Sequence, residues 1–107
     1  MGAAGVALAA AGEHTAGGEF ARTAALFLIL HAAALLGASA HRATRGLTIA
    51  SFALAIGAIL FAADLTSRAF LGARLFPFAA PIGGSLMILS WLALALVFAF
   101  SPRQSAD

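Results

Sequence analysis

Any chemistry in this chain must come from three histidines, four carboxylates and six arginines, because cysteine, lysine and tyrosine are all absent. Without thiols there is no disulfide, no thiolate metal site and no sulfur nucleophile. His14, His31 and His41 are the residues that invite a haem or metal reading. A haem held by two histidines needs both to reach one iron from opposite sides. His14 and His41 fall outside opposite ends of the apolar stretch that carries His31 near its middle, so no two of them share a depth within one chain. Pairing of His31 with its mate in a dimer stays open. The four acidic residues lie in separate stretches and no phosphate loop, zinc spacing or Ser-His-Asp arrangement is present, so acid–base and nucleophilic catalysis find no support. The chain is expected to be no enzyme, with no cofactor and no metal.

Two polar constellations remain. The first is a belt formed by Glu13, His14, Glu19, Arg22, Asp64, Arg68 and Arg74, which antiparallel threading brings to one membrane face. Asp64 and Arg68 are four residues apart and can pair on one helical face. Asp64 could instead meet Arg22 across two helices, where partial burial strengthens the attraction and raises its desolvation cost. Such a belt is either a salt-bridge network at the headgroup boundary or a site for a small anion or lipid headgroup, with His14 a solvated loop residue in the plainer reading. In the ligand reading, Arg22 and Arg68 act with the amides that open the last helix at Pro81-Ile82-Gly83-Gly84. Close helix packing explains Gly83 and Gly84 as well. The second constellation is His31 itself. Counted from the same face, it lies level with Ser90 and Trp91, either of which could bond its imidazole. An ionisable group deep in a span is by default a functional candidate, but a neutral histidine bonded between helices is also a cheap packing device, worth on the order of 1 kcal/mol. The packing and proton-relay readings both stand.

The elements that carry these residues are apolar. Of 107 residues, 63% are hydrophobic and 9% charged, whereas soluble domains carry about a quarter charged residues. Phe20–Ala40 is a central stretch of spanning length, since about 20 residues at 1.5 Å each cover the roughly 30 Å hydrocarbon core. Leu47–Ala63 and Pro81–Phe100 are two further spans, the last with Pro at its first turn, where the missing N–H is harmless. Met1–Gly12 is too short to cross and lacks the basic n-region of a signal peptide, so it reads as a half-inserted helix packed through Gly2, Gly5 and Ala9. Residues 64–80 read as a short interfacial helix or loop with Arg68 and Arg74 toward the headgroups. Ala33 with Gly37 and Ala53 with Gly57 place small residues on single faces, which permits close approach. The fold class is all-α, an up-and-down antiparallel bundle of three full spans and a short first helix in one domain, with Ser101–Asp107 a polar tail.

The chain also resembles the bacterial membrane family called domain of unknown function 423, which includes the transmembrane protein 256-like proteins. The residues that carry the resemblance are Gly12-Glu13-His14, then His31 followed by Ala32-Ala33-Ala34-Leu35-Leu36, then Leu60-Phe61-Ala62-Ala63-Asp64-Leu65, and finally Pro81-Ile82-Gly83-Gly84 with Trp91. Departures are the half-length first helix, Glu13 where a small residue is more usual, and Ala62-Ala63 in place of a Ser-Gly pair. The resemblance implies an integral membrane bundle and supplies no established activity.

Six arginines give a net charge of +2, scattered over the segment ends rather than clustered as nucleic-acid binding requires. Arg42, Arg45 and Arg103 face Arg22, Arg68 and Arg74 across the membrane, a tie by the positive-inside count. The short loop with Arg42 and Arg45 is the stronger local determinant and places that face, with the C-terminus, in the cytoplasm. The expected setting is the bacterial inner membrane as a multi-pass protein. The expected partners are the bilayer and other membrane subunits or further copies, and the expected role is structural or accessory. The alternative is a binding or transport module for a proton, small anion or lipid headgroup.

Overall fold

The structure, a computed structural model, describes residues 1–100; the tail at 101–107, with Arg103, lies outside the described residues. Four helices run in order, α1 (Gly2–Gly12), α2 (Gly18–Ser39), α3 (Arg45–Leu71) and α4 (Ala79–Phe100), and there is no strand among the described residues. α2, α3 and α4 are each long and apolar enough to cross a membrane, whereas α1 is not.

The boundaries follow local chemistry. Thr44 caps α3, its Oγ1 accepting the Leu47 N–H at 3.2 Å. Gly72, with φ +71°, stops α3 in the left-handed conformation that glycine adopts without a Cβ penalty. Between these stops α3 runs eight residues beyond Ala63, where the apolar stretch ends, so Asp64 and Arg68 belong to the continuous α3 rather than to a separate short helix or loop. The polar residues there do not end the helix because they bond within it or onto its own exit. Thr66 Oγ1 donates to the Ala62 carbonyl, Asp64 and Arg68 pair one turn apart, and Ser67 Oγ donates to the Ala73 carbonyl. At about 40 Å, α3 exceeds the hydrocarbon thickness by more than a turn.

The helices form a flat, open bundle, with Cα extents of 53 × 27 × 14 Å. α2 packs on α1 and α3, and α3 packs on α2 and α4. α2 and α4 have no Cα pair within 8 Å. Small residues set the spacing. A Cβ on Gly83 would lie 2.7 Å from the Phe61 backbone nitrogen, and one on Gly57 would lie 3.0 Å from the Gly83 carbonyl, so α3 and α4 cross at backbone contact. A Cβ on Gly17 would meet the Ala69 backbone at 2.7 Å, which ties the start of α2 to the end of α3. Gly5 packs similarly against Ala25 and Ile29 of α2. By contrast Gly37 has open space around it and Ala33 is exposed, so that pair does not form the close helix contact its spacing suggested.

Buried alanines and leucines fill the seams, with Ala24, Leu28, Ala62 and Leu65 between α2 and α3, and Leu54, Ala58, Met87 and Leu94 between α3 and α4. Large side chains such as Leu30, Phe52, Ile88 and Leu92 point outward. An outward-facing apolar surface of this extent suits lipid rather than water.

Candidate functional site

Two buried polar centres form inside the bundle. The first is at the end of α3. Asp64 is fully buried, and its Oδ1 accepts the Leu75 N–H at 2.8 Å. Its Oδ2 lies 2.8 Å from Arg68 Nη2 as an ion pair whose N–H is not aimed along a hydrogen bond. The i,i+4 spacing places the two on one helical face, and the carboxylate reaches past the helix to hold the α3–α4 turn. Arg68 is about one-fifth exposed and its guanidinium sits 5.9 Å from the centre of the Phe20 ring of α2. Oδ2 of Asp64 and Nε of Arg68 are buried without a hydrogen-bond partner. About 29 Å separates Asp64 from Arg45 along α3, which puts the pair near the opposite boundary of the hydrocarbon core.

Arg22 does not join this centre. It projects outward and lies 3.9 Å from Glu13, with both side chains well exposed. On α2 the residues buried against α1 and α3 include Ala21, Ala24, Ala25 and Leu28, and Arg22 falls off that stripe. His14 is also exposed, in the turn between α1 and α2. The belt read from the sequence therefore divides into a buried pair and a solvated rim.

His31 forms the second centre, in the middle of α2. Its Nδ1 bonds the Phe27 carbonyl at 2.7 Å, one turn back, and its Nε2 accepts from Trp91 Nε1–H at 3.2 Å. A carbonyl only accepts and an indole N–H only donates, so the two bonds together select the neutral tautomer protonated on Nδ1. Ser90, at the same level, is buried but donates to the Leu86 carbonyl of its own helix at 2.7 Å, so it is not a partner of His31. The rings of Phe61, Phe27, His31 and Trp91 follow one another in contact, with centroids 4.7, 5.8 and 5.8 Å apart. This row joins α3, α2 and α4, and the His31–Trp91 bond crosses the gap between two helices whose backbones do not meet.

The start of α4 is a poorer anion site than the sequence suggested. Ala79 N–H bonds the Phe76 carbonyl and Ile82 N–H bonds the Phe78 carbonyl, while Pro81 has no N–H. Gly83 and Gly84 lie beyond the first turn, where amides belong to the helical ladder. Gly83 is required by the contact with α3, whereas a Cβ on Gly84 would meet only the Phe61 ring at an ordinary 3.9 Å.

A family model described as protein of unknown function DUF423 matches residues 1–84. The chain belongs to that family. The matched stretch of this DUF423 member runs from α1 through the first turns of α4 and includes His31, Asp64, Arg68, Gly83 and Gly84. No curated protein and no solved structure matches the chain. Among the described residues no group of three His, Asp or Glu side chains is placed to hold a metal ion.

Sequence reasoning missed four members of these centres, the Leu75 amide and the rings of Phe20, Phe27 and Phe61. The Leu75 amide is a backbone group and leaves no trace in residue type. Phe27 was visible as the residue one turn before His31, a spacing at which a ring nitrogen reaches the preceding carbonyl and two rings can stack.

Proposed function

We propose that this DUF423 member is a multi-pass protein of the bacterial inner membrane with a structural or accessory role, assembled with other membrane subunits or with further copies of itself, and that it is not an enzyme. The observation that carries this reading is where the buried polar atoms go. His31 spends both ring nitrogens on α2 and α4, and Asp64 spends its carboxylate on Arg68 and the α3–α4 turn. Groups committed to the fold in this way are not free to bind or transform a substrate, and the flat bundle leaves broad apolar faces for neighbours. Extraction from native membranes in polymer-bounded lipid discs, followed by mass measurement, tests the reading. A species of fixed composition larger than one chain supports it. A lone chain carrying a stoichiometric small molecule contradicts it.

A second reading, a binding or transport module for a proton or small anion, draws on the two buried atoms without hydrogen-bond partners, Asp64 Oδ2 and Arg68 Nε. In that case the lone chain, reconstituted in vesicles, moves protons or anions across the bilayer, and Asp64→Asn abolishes the flux without unfolding the protein.

A further inference from the structure

The two ends of the bundle differ in charge balance. Among the described residues all three carboxylates, Glu13, Glu19 and Asp64, sit at the end that holds Arg22, Arg68 and Arg74. The turn between α2 and α3 carries Arg42 and Arg45, both exposed, with no carboxylate from the described residues beside them and no ion pair. Arg45 occupies the first turn of α3, where the helix dipole is itself positive and where no acidic residue offsets it. Among the described residues this end holds two arginines and no carboxylate, a positive balance that an anion would relieve.

An open groove of about 300 Å³ lies between α2 and α3; neither arginine lines it, but Arg42 stands in the chain between two residues that do, His41 and Ala43. It is lined by the apolar Leu35, Leu47 and the largely exposed Phe52 and by a hydroxyl rim of Ser39, Thr48 and Ser51. His41 lines the mouth, and its ring packs on Phe98 of α4 with centroids 4.9 Å apart, which braces the turn against the last helix. The apolar lining belongs to the spanning helices, Arg42 lies in the turn between them and Arg45 is the first residue of α3. An apolar lining with a hydroxyl rim, close in the chain to two cations, matches the layout of a phospholipid from chain to phosphate. Basic pockets between membrane helices are a recurrent means of holding anionic headgroups.

We propose that the α2–α3 groove is a binding site for an anionic phospholipid, its acyl chain against Leu35, Leu47 and Phe52 and its phosphate between Arg42 and Arg45. A soluble acidic peptide or a nucleic acid would use the arginines but leave the apolar lining uncovered. The site lies at the end of the bundle opposite Asp64 and rests on neither functional reading above.

Native mass spectrometry of the full chain in a mild detergent, with phosphatidylglycerol or phosphatidylcholine added, tests the proposal. Phosphatidylglycerol adducts are expected to persist at collision energies that strip phosphatidylcholine. The double variant Arg42→Gln/Arg45→Gln is expected to weaken phosphatidylglycerol retention on the order of tenfold, from about fivefold per basic residue at a membrane surface, reduced for exposure. Thr48→Trp, an exposed rim position, fills the groove and leaves both charges in place, and it is expected to lower retention as well. Arg22→Gln/Arg74→Gln removes two charges at the other end and is expected to retain the lipid as the unaltered chain does. The site is overturned by equal retention of the two lipids, by equal loss in both arginine pairs, or by full retention in a helical, monodisperse Thr48→Trp protein. Displacement of the adduct by millimolar inorganic phosphate would assign the cations to free phosphate and overturn the lipid.

Discussion

Asp64 and His31 are both buried polar side chains in spanning helices, yet they stabilise different things. Asp64 works within about a dozen residues of itself, bonding one turn ahead to Arg68 and across the exit of α3 to the Leu75 amide. His31 reaches Trp91, 60 residues away, on a helix whose backbone does not meet that of α2. One residue fixes the end of a helix and its turn; the other fixes where two helices stand across a third. The costs differ too. A buried charge that loses its partner is penalised heavily, whereas a neutral bond in a membrane contributes on the order of 1 kcal/mol.

Removing the charge should therefore have the largest effect. Asp64→Ala leaves Arg68 beside an empty, mostly buried position and the Leu75 N–H without its acceptor, and we expect a loss of about 3 kcal/mol in reversible denaturant titration in mixed micelles. Asp64→Asn keeps an acceptor for Leu75 and should lose about half of that. Exchange of the Leu75 amide is the local readout, and it should quicken in Asp64→Ala while the Trp91 indole N–H is unchanged. Equal quickening of both would show that the two centres are one cooperative unit and would erase the distinction.

A smaller effect is expected at the other centre. Trp91→Phe removes the indole N–H and keeps an aromatic ring against His31, so the loss should be about 1 kcal/mol or less. In a double-mutant cycle, His31→Ala and Trp91→Phe should couple by a similar amount, and neither should alter Leu75 exchange. His31→Asn sharpens the reading further. If it supports assembly as the native residue does, titration of the imidazole is not required and a proton relay through His31 fails.

The spans were legible in the sequence because length and hydropathy dictate them, and the level placement of His31 with Trp91 followed from the 1.5 Å rise along two parallel helices. The end of α3 was harder. Asp64 looks like the end of an apolar run, and only its pairing with Arg68, the bonds from Thr66 and Ser67 and the stop at Gly72 show that the helix continues. Those signals were present as an i,i+4 charge pair and a downstream glycine, but they compete with hydropathy and lose in a window average. Arg22 meets Glu13 of the belt and not Asp64, because threading fixes its end of the bundle without saying which side of α2 it occupies. Gly57 and Gly37 head the same kind of small-residue motif; one meets the Gly83 backbone and the other meets nothing, a difference set by which neighbour is present.

The tautomer of His31 bears most directly on whether its ring is a tie between helices or a group available to a proton or ligand. It can be measured by 15N NMR of ring-labelled protein in lipid bilayers at pH 8. Nitrogen shifts of a neutral ring protonated on Nδ1, with the Trp91 indole proton moved downfield and returning to its free position in His31→Ala, are the expected result. A ring protonated on Nε2, or an indole proton indifferent to His31→Ala, would contradict the bond and return His31 to the set of functional candidates.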